Sequence, residues 1–414
     1  MAGISEFVSM NMNEDVSKLL LSRKKWPDND MDLAVNCIES RRKLKGKVQE
    51  WYEIPELIFP AKLSAEQCSS SATARCKAAF AEHIAGSDNG KWRIADLTGG
   101  LGVDSWFYSR LAEKVLYNEM QSVLCEAARH NFKVLKADNI TISNQKVGQD
   151  GAGPEDILEE FRPDIVYMDP ARRGEGGKKV FLIEDCTPDV LKLKDEIFRI
   201  CRHILLKLSP MADISMVCER LGSSCREVHA VAYGGECKEL LVWMDREWDE
   251  EYSVSAVELP GDYPSSGPSC FRFRPSEERD ASGYTSVTCP HRYIFEPGKA
   301  LMKAGAFNLI GQRLNLHKLG RSTHYYFFED ESRLEDLKKL GKTYIIIRSE
   351  PLDKRTLKAA GKDFPKSEVT ARNIPMDTET LRKKIGATSG DDAHIFGLRS
   401  DSEGNLLLCT KRVL

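Results

Sequence analysis

Between Arg93 and Glu119 the chain reads RIADLTGGLGVDSWFYSRLAEKVLYNE, with acids and glycines spaced to hold a nucleoside. Asp96 ends one apolar run (Ile94, Ala95), and Glu119 follows a second, Val115-Leu116-Tyr117. The turn between them, Thr98-Gly99-Gly100-Leu101-Gly102, is glycine-rich. Glycine permits positive φ and close approach of backbone to a ligand. A carboxylate at Glu119 can accept two hydrogen bonds from a ribose diol, and Asp96 is expected to face a ligand's amino group. A dinucleotide fingerprint requires G-x-G-x-x-G, but Ser105 stands where its third glycine belongs. Asp169-Pro170-Ala171-Arg172-Arg173 closes another apolar run, Asp164 to Met168, and Asp169 is the best-placed base toward an acceptor. Arg172 and Arg173 suit bidentate contact with phosphate or carboxylate. The plainer reading pairs them with Glu184 or Asp185.

Alternating patterns must position these groups. Strands are expected at Ile94–Asp96, Val115–Tyr117, Ile140–Ser143, Asp164–Met168 and His203–Leu208, with helices from Ser122 to Leu135 and from Asp189 to Cys201. Such alternation implies a parallel sheet with crossover helices. Cys225–Tyr233 and Glu239–Met244 are joined by Gly234-Gly235, a turn too short for anything but an antiparallel pair. The expected fold is therefore α/β: a doubly wound, Rossmann-like sheet with an antiparallel last strand. At the carboxyl ends of its strands, the cofactor side would be shaped by Asp96, Thr98, Gly100, Gly102, Asp104, Glu119 and Asn144. The acceptor side would hold Asp169, Pro170 and Arg172, with Arg173, Lys207, Gln67 and Ser70 contacting substrate. Glycines and lysines from Gly174 to Lys179 read as a loop over that side.

The 414 residues carry a net charge of −3, so any nucleic-acid surface is local rather than global. Twelve cysteines without a C-x-x-C pair argue against a zinc knuckle, and no metal is expected. Cys125, Cys201 and Cys218 read as buried thiols in a reducing compartment. No apolar run reaches the length of a membrane span, and the chain is expected to be cytoplasmic. Residues 1–90 form an N-terminal helical region. There the cationic run Arg41 to Lys47 beside Trp51-Tyr52 suits phosphate contact with base stacking, or simply a solvated helix face with a tryptophan anchor. Ser64-Ala65-Glu66-Gln67 has capping-box spacing and is expected to open the helix containing Gln67 to Lys77, whose many small hydroxyl residues suit close packing or ligand contact and are candidates to lean over the pocket.

Residues 91–250 make the sheet domain. Pro260 to Pro268, PGDYPSSGP, reads as an interdomain linker. Small α/β pieces follow at 251–322 and 323–414. Their expected elements are a strand Tyr293–Pro297, a helix from Lys299, an aromatic strand Thr323–Phe328, a helix Thr378–Ile385, and strands Tyr344–Ile347, Ala393–Arg399 and Asn405–Lys411. Arg372, Arg382, Lys383, Lys384 and Arg399 are candidates for one basic face.

The pattern D-x-x-x-G-x-G at Asp96–Gly102 resembles motif I of class I S-adenosylmethionine (SAM) methyltransferases, and Asp169-Pro170 falls where their motif IV lies. Motif IV of amino-group methyltransferases reads D/N-P-P-Y/F. Ala171 and Arg172 depart from it and are more similar to the D-P-P-R variants of some RNA base methyltransferases. No cysteine stands there or at Ser209-Pro210, which argues against a cysteine-nucleophile mechanism. Together with Glu66-Gln67-Cys68-Ser69-Ser70 and Glu296-Pro297…Lys303-Ala304-Gly305, these motifs resemble a group of bacterial class I SAM methyltransferases with a THUMP-like C-terminal domain. That resemblance covers nearly the whole chain. It implies SAM as cofactor, a ferredoxin-like piece at 251–322, a THUMP-like domain at 323–414, and methylation of a base in structured RNA (rRNA or tRNA). The alternatives are a small-molecule or protein acceptor, or a non-catalytic RNA-binding module on the same fold.

Overall fold

The computed structural model describes residues 2–27, 30–86, 91–148, 153–172, 183–282 and 292–413. The chain divides into two compact units: Met1–His229 with Lys238–Tyr252, and Ala230–Cys237 with Ser253–Leu414.

The strands built on the first unit are β1 (Arg93–Asp96), β2 (Lys114–Asn118), β3 (Ile140–Ser143), β4 (Ile165–Met168), β5 (His203–Leu208), β6 (Cys225–Tyr233) and β7 (Glu236–Asp245), the hairpin end of β6 and β7, Ala230–Cys237, being counted with the second unit. Their order is β3-β2-β1-β4-β5-β7-β6. Strands β3 to β5 pair in parallel, Ile94 lying beside both Val115 and Ile165. Strand β7 runs antiparallel to β5, His203 facing Asp245. It follows β6 through Gly234 and Gly235, at φ of 63° and 82°, as a type I′ hairpin turn demands. The inner strands are buried on both faces and therefore read as continuous apolar runs rather than alternating ones. The order reverses between β1 and β4, the switch point where open α/β sheets bind ligands.

The helix Ser71–Ala85 begins at a capping box of Ser70 and Thr73 and ends at Gly86, φ 62°. The box thus lies six residues beyond the one expected at Ser64, which instead sits inside a separate short helix, Lys62–Gln67. Cys68, between them, adopts an extended conformation that breaks the run.

The N-terminal helices show Trp51 as the packing anchor and use much of the cationic run beside it structurally. Arg41 is buried and donates to the carbonyls of Tyr52, Ile54, Pro55 and Leu57 at 2.8–3.0 Å. Arg42 donates to Met12 and Glu14 carbonyls, and Lys47 to those of Ala65 and Glu66. Trp51 is fully buried, stacked on Phe59 and edge-on to Trp106. The segment 53–59 is irregular and carries unpaired carbonyls, so a five-donor guanidinium is used to satisfy them. Arg41, Arg42 and Lys47 thus hold the chain together, while Lys43 pairs with Glu66 at 3.0 Å and Lys45 is exposed.

In the second unit Ser253–Leu259 and Ser269–Phe273 pair antiparallel. PGDYPSSGP is therefore the loop of a β-hairpin, not a linker between domains. A seven-stranded sheet follows, in the order His317–Lys318, Tyr326–Phe328, Tyr293–Pro297, Gly341–Pro351, Gly404–Arg412, Thr388–Ser400, Lys366–Arg372. Period-2 alternation gives it two apolar faces. Phe396, Leu398, Leu406 and Leu408 pack with Ile294, Tyr325, Phe327 and Tyr344. Ile395, Leu407 and Cys409 pack under the helices Lys354–Asp363 and Thr378–Ile385. Arg382 is tied to Glu368 at 3.2 Å and to the Ser367 carbonyl at 3.1 Å.

Candidate functional site

A cavity of about 230 Å³ opens at the carboxyl ends of β1, β2 and β4. It is lined by Asp96 to Asp104, by Glu119 to Gln121, and by Asp169. The glycines are required by space as well as by dihedral. A Cβ on Gly99 would lie 2.3 Å from the Tyr117 ring, and one on Gly102 (φ 89°) 2.8 Å from Phe132. Tyr117 donates its hydroxyl to the Gly100 carbonyl at 2.6 Å, which fixes the turn over β2.

Glu119 is held from below. Its Oε2 accepts from Gly100 N–H and its Oε1 from Gln121 N–H, each at 2.9 Å. Each oxygen keeps a further lone pair for a ligand in the cavity it lines. Asp96 is 1% exposed. Ser105 Oγ donates to it at 2.6 Å and Thr98 N–H at 3.0 Å. Burial, with the charges of Asp104 and Asp169 added, overcomes these donors and pushes its carboxyl up to about 7. Ser105, which replaces the third glycine of a dinucleotide fingerprint, is thus a partner of this acid.

The acceptor corner is built on salt bridges. Asp169 N–H donates to Thr98 Oγ1 at 2.6 Å, and the Asp169 carboxylate pairs with Lys207 Nζ. Burial works against the charge on Lys207, but Asp169, Glu239 and Asp104 outweigh it and raise its pKa. Behind it Lys77, fully buried, reaches both oxygens of Glu239 at 2.8 and 2.9 Å and Asp104 Oδ1 at 3.4 Å. Asp104 Oδ2 accepts from Ser69 Oγ at 2.9 Å and from the Tyr167 hydroxyl at 3.0 Å. Its Oδ1 is buried without a hydrogen-bond partner.

Of the residues singled out from the sequence, Asp96, Thr98, Gly100, Gly102, Asp104, Glu119, Asp169 and Gln67 line this cavity. Asn144 instead donates to the Glu119 carbonyl at 2.7 Å, supporting the loop behind it. Ser70 is spent on its helix cap, and Lys207 on Asp169. Pro170 is buried. Arg172 belongs by its backbone to a two-residue strand paired with Cys186–Thr187. Its side chain, Arg173 and the Gly174–Lys179 loop lie outside the described residues. Glu184, offered above as a partner for them, bonds Arg220 at 3.0 Å. Ser69 and Lys77 belong to the Gln67–Lys77 segment expected over the pocket; Ser69 lines the cavity and Lys77 stands behind it, whereas sequence reading passed over Gln121, Gln145, Lys146 and Pro188, which line the cavity, and Glu239. A lysine amid alanines in Ser71–Ala85 was the available signal for Lys77.

The second unit has a cavity of its own, about 630 Å³, lined by Glu258, Glu296, Lys299, Lys338, Lys339, Lys342 and Arg412 among others. Lys338 and Lys339 bridge Glu335 and Asp336 at 2.8 and 3.1 Å. Glu296 accepts the hydroxyls of Tyr325 and Tyr344, both at 3.1 Å. Among the described residues no group of His, Cys, Asp and Glu is placed to hold a metal ion. No described helix is long and apolar enough to cross a membrane.

Comparison with solved structures decides the architecture. The whole chain superposes on a protein of Porphyromonas gingivalis W83 named as a "putative methyltransferase", with a TM-score of 0.84 and 28% identity over 100% of this chain and 98% of that one. The chain has a methyltransferase fold with a THUMP-like C-terminal domain. Residues 341–411 of this methyltransferase-fold chain match the family model described as THUMP domain-like, and residues 293–332 one described as a ferredoxin-like domain. An rRNA methylase of Streptococcus thermophilus aligns with 42% of this chain and 94% of its own, at 12% identity and a TM-score of 0.29. No curated protein is a significant sequence match.

Proposed function

We propose that the protein transfers a methyl group from SAM to a base in structured RNA. The reading rests on one observation above all: Gly100, Glu119 and Asp169 line a single cavity at the β1–β4 switch point. The residues present fit SAM. Glu119 has lone pairs for a ribose diol, Gly99 and Gly102 let the turn pack directly on Tyr117 and Phe132 beside the cavity, and the wall carries carboxylates for a cationic ligand.

When bound, SAM supplies an electrophilic methyl group on a sulfonium sulfur. Asp96, Thr98, Gly100, Gly102 and Asp104 shape its side of the cavity, and Glu119 orients it. Thr98 anchors the Asp169 backbone, while Lys207 fixes the Asp169 carboxylate, leaving Oδ1 to accept a hydrogen bond from the methyl acceptor. Pro170, Arg172, Arg173 and Gln67 complete the acceptor side. Direct displacement needs alignment of the two reactants before all else, and this corner is arranged for alignment. RNA is the favoured acceptor because the THUMP-like segment belongs to a unit whose cavity carries Lys299, Lys342 and Arg412. Residues 251–322 and 323–414 would be the RNA-recognition pieces.

Calorimetric titration of SAM and S-adenosylhomocysteine (SAH) into wild type and Glu119→Ala is the first test. The expected result is binding of both to wild type, weakened about tenfold or more in the variant, since a charged hydrogen-bond acceptor is lost. Labelled methyl transfer into cellular RNA fractions should then follow. Folded wild type that binds neither ligand would refute the enzyme reading.

A further inference from the structure

Strand register builds one wall of the second unit's cavity. Glu296 lies opposite Lys342, and Tyr344 opposite Arg412. Residues opposite one another, or two apart along a strand, share a sheet face. Glu296, Lys342 and Arg412 therefore stand together where the apolar stripe of Ile294 and Tyr344 ends. Lys299 joins them from the turn after Tyr293–Pro297, where Gly298 N–H donates to the Leu340 carbonyl at 2.8 Å. A Cβ on Gly341 would lie 2.2 Å from the Glu296 carbonyl, so glycine lets that turn close on the neighbouring strand.

The acids of this cavity are engaged and three of its cations are not. Half-buried Glu258 accepts from Ala300 N–H at 2.8 Å, with Lys299 near enough to act on its charge. Glu296 is held by the Tyr325 and Tyr344 hydroxyls, and Glu335 and Asp336 by Lys338 and Lys339. Lys299, Lys342 and Arg412 are exposed, and their side chains form no ion pair among the described residues. With all these acids counted, Asp336 included, the five cations leave a positive surplus of one. No aromatic side chain lines the cavity, so it offers no platform on which to stack a base. Its volume, about 630 Å³, suits a nucleotide-sized ligand.

We propose that this cavity binds a phosphate monoester, the terminal phosphate of a nucleotide, through Lys299, Lys342 and Arg412. The proposal goes beyond the RNA reading and does not depend on it, because a free nucleotide and the 5′ end of an RNA present the same group. Above its second pKa of about 6 a monoester carries nearly two negative charges, where a linkage in mid-strand carries one. A monoester also ends its chain and so fits a pocket, whereas a mid-strand linkage needs a groove. Arg412 presents a fork for two phosphate oxygens, and the two lysines add point charges. Recognition of the phosphate without stacking leaves the site indifferent to the base.

The test is calorimetric titration of the full-length protein with cytidine monophosphate, uridine monophosphate and cytidine, and with one RNA oligonucleotide bearing either a 5′-phosphate or a 5′-hydroxyl. Pyrimidine probes are used because the first cavity is proposed for an adenosine ligand. The expected result is that both monophosphates bind alike and about tenfold or more tighter than cytidine. Their affinity should fall from about pH 7.5 to about pH 5, as the monoester takes up a proton. Lys299→Ala with Lys342→Ala and Arg412→Ala, checked for folding by circular dichroism, should remove the preference. A phosphorylated oligonucleotide that binds tighter than the monophosphates assigns the site to an RNA end, and equal affinity assigns it to a free nucleotide. Monophosphates no tighter than cytidine, or a preference that survives the triple change, overturn the proposal. Oligonucleotides that bind equally with either 5′ end, beside monophosphates that do not bind, overturn it while leaving the RNA reading standing. Monophosphates held by the three cations, with neither oligonucleotide bound, uphold it and count against RNA.

Discussion

Asp96 shows how one residue carries both fold and site. It is the last residue of β1, where the parallel pairing with β2 and β4 buries it, and its hydrogen bonds come from the turn it launches. A carboxyl raised to about 7 in the folded protein and free to ionise near 4 when unfolded favours the folded state while it holds its proton. Its contribution to stability is full below the unfolded value and is lost as pH rises through about 7. We therefore expect the melting temperature of the ligand-free protein to fall between about pH 5 and about pH 8 through this residue. Asp96→Asn should abolish most of that fall, and scanning calorimetry at several pH values will check it. A wild-type slope that survives in the variant would assign the effect elsewhere. The acid was legible in the sequence because it ends an apolar run before glycines. Its protonation was not, since that follows from burial and from Asp104 and Asp169 brought in by the fold.

Among the elements, the helix Ser71–Ala85 and β7 are joined by Lys77 and Glu239, 162 residues apart in sequence. Removing one member of a buried pair leaves the other charged and unpaired, at a cost of about 3–5 kcal/mol. Lys77→Met and Glu239→Gln should each lower the unfolding free energy by roughly that amount, read from urea denaturation. Lys77→Met with Glu239→Leu should cost less than either single change, because neither charge is then stranded. Additive losses would mean that the pair is not an energetic unit. Apolar runs located β1 to β6 to within a residue, while β7 begins at Glu236, three residues before the expected Glu239; the helix Thr378–Ile385 was located at both ends. Helix Lys354–Asp363 and strand Lys366–Arg372 went unread. Both are highly charged outside a few buried positions, so their apolar signal is sparse.

For the whole molecule, every residue lining the first cavity belongs to one unit and every residue lining the second to the other. If the second unit recognises RNA, the two binding events are separable by mutation. Charge reversal at Lys299, Lys342 and Arg412 together should weaken RNA binding by about tenfold or more at moderate salt and flatten its salt dependence. Affinity for SAM should be unchanged, as measured by filter binding for RNA beside calorimetry for SAM. RNA binding untouched by the triple change would move the RNA surface away from this cavity. The sequence by itself determined the strand succession, the glycine turn and the acids that end β1 and β4, because local apolar patterning and backbone sterics are written in neighbouring residues. The tertiary structure alone decided which charges meet. It spent Arg41, Arg42 and Lys47 on backbone carbonyls, gave Lys207 to Asp169, and placed Lys77 with Glu239 behind the cavity. Charge pairing acts through space over long sequence separations, and in a buried site it is set by which groups desolvate each other.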